Sequence, residues 1–195
     1  MVRKAVLLVA VLVGVVVIVL GESRWPEGSR IHMTIDWIGV VLIVLCIVGR
    51  TWCTLYIGGR KVSRIVTNGP YSVSRNPLYL FSIIGAIGVG AQIGSVLMAL
   101  FAGIITWFIF FLVVREEEQL MAQSFGDRYR KYLARVPRFF PKPSLWHDVK
   151  TLTIRPSNVI NTFIDACVFL ITIPIAEGFE FLHEIGFIPV FFRLP

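Results

Sequence analysis

Charged side chains are scarce in this sequence: Asp, Glu, Lys and Arg make up 16% of 195 residues, where a soluble domain carries roughly a quarter. The long uncharged runs exclude a soluble globular domain and set the class as an integral membrane protein. Cysteine patterns for metal are missing too. The three cysteines, Cys46, Cys53 and Cys167, all sit in apolar runs. They show no CxxC spacing and no neighbouring His or carboxylate set at ligand spacing, so they read as small buried residues and no metal is expected. Acids are absent from 58–76, which carries Arg60, Lys61, Arg64 and Arg75. A net charge of +7 and a pI near 9.7 would suit nucleic acid, but the basic residues flank apolar runs as cytoplasmic loops do beside anionic lipid. No nucleic-acid partner is expected; the membrane is.

The chain predicts an all-α integral membrane protein with about five transmembrane helices and a cytoplasmic amphipathic helix after the fourth. Met1 to Leu20 follows Arg3 and Lys4 with an almost pure Val/Leu/Ile run. It is longer than a signal-peptide core and ends at Trp25-Pro26, which favours a retained first span. Ile35 to Ile57 is the second. Arg50 near its end either snorkels to the headgroups or marks a functional position. Leu78 to Val114 is too long for one span and splits at Ala91-Gln92-Ile93-Gly94-Ser95. Small residues before the split (Ser82, Gly85, Ala86, Gly88, Gly90) suit close helix packing. From Arg115 to Arg135, Leu120, Met121, Phe125, Tyr129, Tyr132 and Leu133 fall near one helical face, and Pro137 ends the pattern. Asn158 to Ala176 is a further apolar run; the tail 177–195 reads equally as a short span, a re-entrant piece or an amphipathic helix. As one membrane domain, 1–195 divides into two spans (1–57), a core (58–141) and a C-terminal extension (142–195). The Lys and Arg distribution puts the N-terminus and both polar blocks on the cytoplasmic face, and a bacterial inner membrane is the expected location.

Those two polar blocks lie at the two ends of one hydrophobic hairpin, which brings them back to the same membrane face. In the first, Asn68-Gly69-Pro70-Tyr71-Ser72-Val73-Ser74-Arg75-Asn76-Pro77-Leu78-Tyr79, Asn-Gly-Pro cannot continue a helix and Asn76-Pro77 opens one. Arg75 and Asn76 then stand beside a helix N-terminus, which favours an anion; an ordinary capping loop with interfacial tyrosines is the plainer reading. The second block is Arg115-Glu116-Glu117-Glu118. Its carboxylates need a cationic partner, either Arg75, Arg64 or Arg128, or a cationic ligand.

Together with Phe125-Gly126-Asp127…Tyr129…Tyr132 and Arg135-Val136-Pro137-Arg138-Phe139-Phe140-Pro141, these blocks resemble, in order and spacing over about Ser63 to Pro141, the isoprenylcysteine carboxyl methyltransferase and phospholipid methyltransferase family. The resemblance implies an intramembrane enzyme using S-adenosyl-L-methionine without a Rossmann domain, and no GxGxxG follows a strand here. Carried over by position, the cofactor is held by Ser63, Arg64, Ile65, Val66, Tyr71, Asn76, Pro77, Leu78, Tyr79 and Glu117. Glu118, Arg115 and Arg75 form the expected catalytic set. Arg75 and helix-N-terminal amides suit the cofactor's carboxylate, Glu117 its ammonium, and Tyr71 or Tyr79 its sulfonium.

One position departs from the family: its usual His is Asn76 here, which hydrogen-bonds but cannot act as a base. A carboxylate acceptor needs no base, whereas a protonated lipid amine must first lose a proton, for which Glu118 would serve if burial raised its pKa. The expected partner is a lipophilic small molecule or a lipid; oligomeric state is not indicated. Two other readings fit parts of the pattern: an NADPH-dependent membrane reductase of the sterol-reductase type, and a non-catalytic membrane scaffold.

Overall fold

The computed structural model describes residues 21–26, 28–58 and 65–195; the expected first span over 1–20, and Ser63 and Arg64, lie outside the described residues. The fold is mostly helical. In chain order come strand β1 (Gly21–Ser23), helices α1 (Arg30–Ile57), α2 (Pro70–Val73), α3 (Pro77–Ala91), α4 (Val96–Phe125) and α5 (Asp127–Arg135), a 3-10 turn at Pro143–Leu145, helix α6 (Pro156–Glu184) and strand β2 (Phe192–Leu194). Three of these, α1, α4 and α6, are long and apolar enough to cross a membrane. With 15 residues, α3 reaches only about 22 Å, short of the ~30 Å hydrocarbon core.

The helices depart from the expected runs where polar residues continue a helix. The 30 residues of α4 carry the helix past its apolar run and through Arg115-Glu116-Glu117-Glu118. Glutamate is a good helix former, so nothing ends the helix before Gly126, whose φ of 55° breaks it. The helix expected over 115–135 is thus divided: its first half belongs to α4, and α5 begins afresh with Asp127 in its first turn and Arg135 in its last, each favourable with the dipole. Likewise α6 runs through Pro174 to Glu184, so the first part of the 177–195 tail is helix.

Two compact units emerge: residues 1–45, 83–109 and 168–195 in one, 46–82 and 110–167 in the other. In the first, Gly39 and Gly88 each face the other's carbonyl oxygen so closely that a Cβ would collide, the close packing that small residues permit. Ile35, Ala91 and Ala99 form its apolar core with Trp25 and Ile87. β1 and β2 pair in parallel, Glu22 opposite Arg193, and Ser95 Oγ donates to the Pro195 carbonyl at 2.7 Å, which seats the chain's end. In the second unit, Cys53, Tyr56 and Tyr71 form one buried cluster and Tyr129, Tyr132 and Val136 another. The candidate site lies there.

Candidate functional site

The first polar block is a tight fold of its own. Gly69 enters α2 with φ 57°, and a Cβ there would run into the Tyr56 ring, so only glycine serves at this position. Ser72 Oγ closes the turn by donating to the Gly69 carbonyl at 2.6 Å. Pro70 and Tyr71 are thereby turned inward and buried. Asn76 precedes α3, and its carbonyl accepts the first helical bond from Leu80 N–H at 3.1 Å.

The segment after α5 then ties down this block. Arg75 N–H donates to the Pro137 carbonyl at 2.9 Å and Lys142 N–H to the Val73 carbonyl at 2.9 Å. Ser74 Oγ donates to the Phe139 carbonyl at 2.9 Å, and Asn76 Nδ2 to the Arg138 carbonyl at 3.2 Å. Tyr132 Oη reaches from α5 to the Tyr71 carbonyl at 2.8 Å. The motifs that share a family register in sequence are, in space, one hydrogen-bonded body.

Glu118 is the knot of that body. Arg75 Nη1 donates to its Oε1 at 2.8 Å, while Arg138 Nη2 donates to Oε2 at 2.7 Å and Arg138 Nε to Oε2 at 3.1 Å. Arg75 also spends its Nε on the Val136 carbonyl at 2.6 Å. With its side chain only 9% exposed, Glu118 satisfies both oxygens through charged donors, the strongest kind of protein hydrogen bond. Of the partners open to these acids in the sequence, Arg75 pairs with Glu118; Arg138 joins it unforeseen. The Glu118 hydrogen bond pushes the Arg138 pKa up, and Arg138 lies 5.4 Å over the Phe111 ring.

Glu117 takes a different environment one residue earlier. Its Oε1 accepts from Tyr79 Oη at 2.8 Å, and the Tyr79 ring packs on Phe110 at 4.7 Å.

Between these elements lies a cavity of about 440 Å³. Its walls are largely apolar, with Ile57, Ile65, Val66, Leu120 and Met121, and its polar groups include Tyr71, Arg75, Asn76, Glu117 and Glu118. Seven of the sequence-expected residues therefore share one cavity: Ile65, Val66, Tyr71, Arg75, Asn76, Glu117 and Glu118. Pro77 and Leu78 stand outside its wall; Leu78 packs behind Tyr71. Tyr79 acts on the cavity through Glu117. Arg115 is exposed beside the Phe111 ring and does not line the cavity. Tyr129 and Tyr132 do, although the sequence placed them on one helical face and in the family resemblance without naming them as site residues.

The three phenols of the cavity are held protonated. Burial, reinforced by Glu118, pushes Tyr129 up to about 12, and burial raises Tyr132 and Tyr71 as well. Each is a hydrogen-bond donor at neutral pH. Tyr132 uses its hydroxyl within the protein, but the Tyr71 hydroxyl, in a side chain 4% exposed, has no partner among the described residues. An unpaired buried hydroxyl is unfavourable by about 1–3 kcal/mol. The Tyr71 side chain lines the cavity, while its hydroxyl is itself enclosed by protein.

Known proteins give this cavity a context. A family model described as phospholipid methyltransferase matches residues 34–128. The chain is 34% identical over 166 residues to the cobalt-zinc-cadmium resistance protein CzcN of Cupriavidus metallidurans, covering 85% of this chain and 76% of that protein. It is 30% identical over 187 residues to the nickel-cobalt-cadmium resistance protein NccN of Alcaligenes xylosoxydans xylosoxydans, covering 96% and 87%. A protein-S-isoprenylcysteine O-methyltransferase of Arabidopsis thaliana is 27% identical over 132 residues, 63% of this chain and 67% of that one. The chain belongs to the isoprenylcysteine and phospholipid methyltransferase family. As a member of that family with three long apolar helices, it is an integral membrane protein. The family match spans the first polar block and the glutamates of α4, and so most of the cavity wall. No solved structure matches the chain.

Proposed function

We propose that the protein transfers a methyl group from S-adenosyl-L-methionine to a carboxylate on a lipophilic acceptor dissolved in the membrane. The observation that carries the reading is a single cavity lined by Tyr71, Asn76 and Glu117 beside the apolar Ile65 and Val66. This donor set fits the cofactor: a carboxylate for its ammonium, neutral donors for its sugar and carboxylate oxygens, and apolar walls for its adenine. Glu117, oriented by Tyr79, would hold the ammonium. Asn76 would donate to its oxygens, aided by the N-terminus of α3 that Pro77 opens, with Tyr71 forming part of the wall. Ile65 and Val66, preceded by Ser63 and Arg64, would flank the adenine, and Leu78 supports Tyr71 from behind. When bound, S-adenosylmethionine supplies an electrophilic methyl group on a sulfonium. The chain's own contribution is positioning and the exclusion of water, since an in-line displacement gains most from orientation.

The cavity's protein groups favour an acceptor that is already anionic. Arg75 and Arg138 occupy both oxygens of Glu118, the phenols are held protonated, and Asn76 is an amide. None of these is suited to take a proton from a lipid ammonium, and Glu117 is committed to Tyr79 and, in this reading, to the cofactor's ammonium. Glu118 and Arg75 are accordingly read as positioning residues, in place of the base and the carboxylate clamp expected of them. We also place the cofactor core in 58–141 on the cytoplasmic face of a bacterial inner membrane. About five spans complete the arrangement, with α3 reaching only part of the way across the hydrocarbon core and α5 lying at the surface. Two relatives are named for resistance to divalent metals; carried over, that sets the methylation within a response to metal exposure.

The test is incubation of the purified chain with methyl-labelled S-adenosylmethionine and extracted membrane lipid. Label that alkali releases as methanol identifies a carboxyl methyl ester. Label retained on an amine headgroup replaces the carboxylate reading with phospholipid N-methylation, and no transfer by folded protein rejects methyl transfer.

A further inference from the structure

A charge inside a membrane helix ordinarily has a partner of opposite charge, and Arg50 of α1 has none among the described residues. Its Nη1 donates to Ser82 Oγ of α3, and Ser82 Oγ itself donates to the Leu78 carbonyl at 2.9 Å. Arg50 Nε is buried and unpartnered, and no carboxylate of the described residues pairs with the guanidinium. Snorkelling would satisfy such a group by turning it along the helix to the headgroups. Here the bond to Ser82 turns it toward α3 instead, and Nε is closed off from solvent.

The surroundings are built closely. Gly49 meets the Phe81 ring where a Cβ would collide, which brings α1 and α3 together beside Arg50. About one turn further along α1, Cys53 is fully buried and packs in one cluster with Tyr71 and Phe81. Arg50 and Tyr71, each with a buried donor unpartnered among the described residues, lie in the same unit as Cys53. The Arg50 side chain is only partly buried, so its guanidinium keeps an accessible side on which an anion can pair with it.

We infer that Arg50 is an anion-binding group for an amphiphilic ligand, receiving a carboxylate or phosphate oxygen on an apolar chain. Resting on the proposed methyl transfer, this makes Arg50 the residue that recognises the acceptor's charge. An acceptor carboxylate binds through its charge, and its methyl ester, having lost that charge, does not. Recognition and product release then follow from one ion pair. An amphiphile with a phosphate head satisfies the same guanidinium, so the two sources share one chemistry.

The experiment uses the full chain in a nonionic detergent and measures equilibrium binding of oleate, methyl oleate and dodecyl phosphate, with S-adenosylhomocysteine titrated in parallel. Wild-type protein should prefer oleate or dodecyl phosphate to methyl oleate by about tenfold or more. Tighter oleate assigns the site to a carboxylate acceptor; tighter dodecyl phosphate assigns it to a phosphate headgroup. Arg50→Gln should abolish the preference, Arg50→Lys should keep most of it, and both should bind S-adenosylhomocysteine as the wild type does. No anion preference in the wild type, or a preference that survives Arg50→Gln, overturns the inference. If Arg50→Gln fails to fold, the wild-type comparison and Arg50→Lys decide the matter: loss of preference in a folded Arg50→Lys overturns the charge-pairing inference. Absence of S-adenosylhomocysteine binding beside an intact oleate preference rejects the cofactor reading and leaves the anion site standing.

Discussion

The Tyr79 hydroxyl donates to Glu117 Oε1 at 2.8 Å, joining the first turn of α3 to the acidic stretch of α4. Glu117 lines the cavity and Tyr79 does not. One residue of the pair faces the cavity, and the other holds its carboxylate.

That division of labour predicts unequal effects. Tyr79→Phe removes one hydrogen bond and should weaken S-adenosylhomocysteine binding by roughly three- to tenfold. Glu117→Ala removes the charge and should weaken it by more than about tenfold. The double variant should bind no more weakly than Glu117→Ala alone. Calorimetric titration of the three proteins checks this, and additive losses in the double variant would contradict the pairing.

Glu118 should behave as a stability residue. Glu118→Gln keeps the shape but leaves Arg75 and Arg138 without a countercharge. Breaking a buried pair in this way costs about 3–5 kcal/mol, and the 34% exposure of Arg138 lowers the expectation to about 2–3 kcal/mol. Thermal unfolding in detergent should show a Tm lower by several degrees; an unchanged Tm would dismiss the knot.

Alkali should loosen the same region. The folded state raises the pKa of Tyr129 to about 12 from an ordinary value of 10.0, so it binds more protons than the unfolded chain between those values. Stability is then fully present below about pH 10 and lost as pH rises towards 12. Tyrosinate absorbance near 295 nm, followed with helix content, should show unfolding in that window. Tyr129→Phe should make the loss shallower.

The cytoplasmic placement has its own check. Gln123 is exposed on α4 among the polar residues that follow its apolar run. A cysteine at Gln123 should react with a membrane-impermeant maleimide in inside-out vesicles and stay unlabelled in intact spheroplasts. The reverse pattern would invert the orientation.

Much of the cavity was legible before any coordinates. Ile65, Val66, Tyr71, Asn76 and Glu117, to which the family resemblance pointed, line one cavity, because turns and helix ends that follow from local sequence set where side chains emerge. Ion-pair choice is different. Arg64, Arg75 and Arg128 were equal candidates for the glutamates, and a linear chain carries no distance by which to rank them. Arg138 was missed because it follows Glu118 by 20 residues and returns only through the break at Gly126. The length of α4 was missed for a local reason: a polarity change reads as a boundary, but glutamate continues a helix without cost.

By itself the sequence determined that this is a helical membrane protein with two polar blocks whose order and spacing match a methyltransferase family. Uncharged length and turn chemistry act locally, and each reads directly from neighbouring residues. Only the tertiary structure decided what each polar group does: Glu118 tied between Arg75 and Arg138, Glu117 held by Tyr79, Tyr71 left with a buried hydroxyl, and Arg50 with no carboxylate partner among the described residues. Those outcomes depend on which groups packing brings within about 3 Å of one another while excluding water. No pattern along a single chain encodes that proximity.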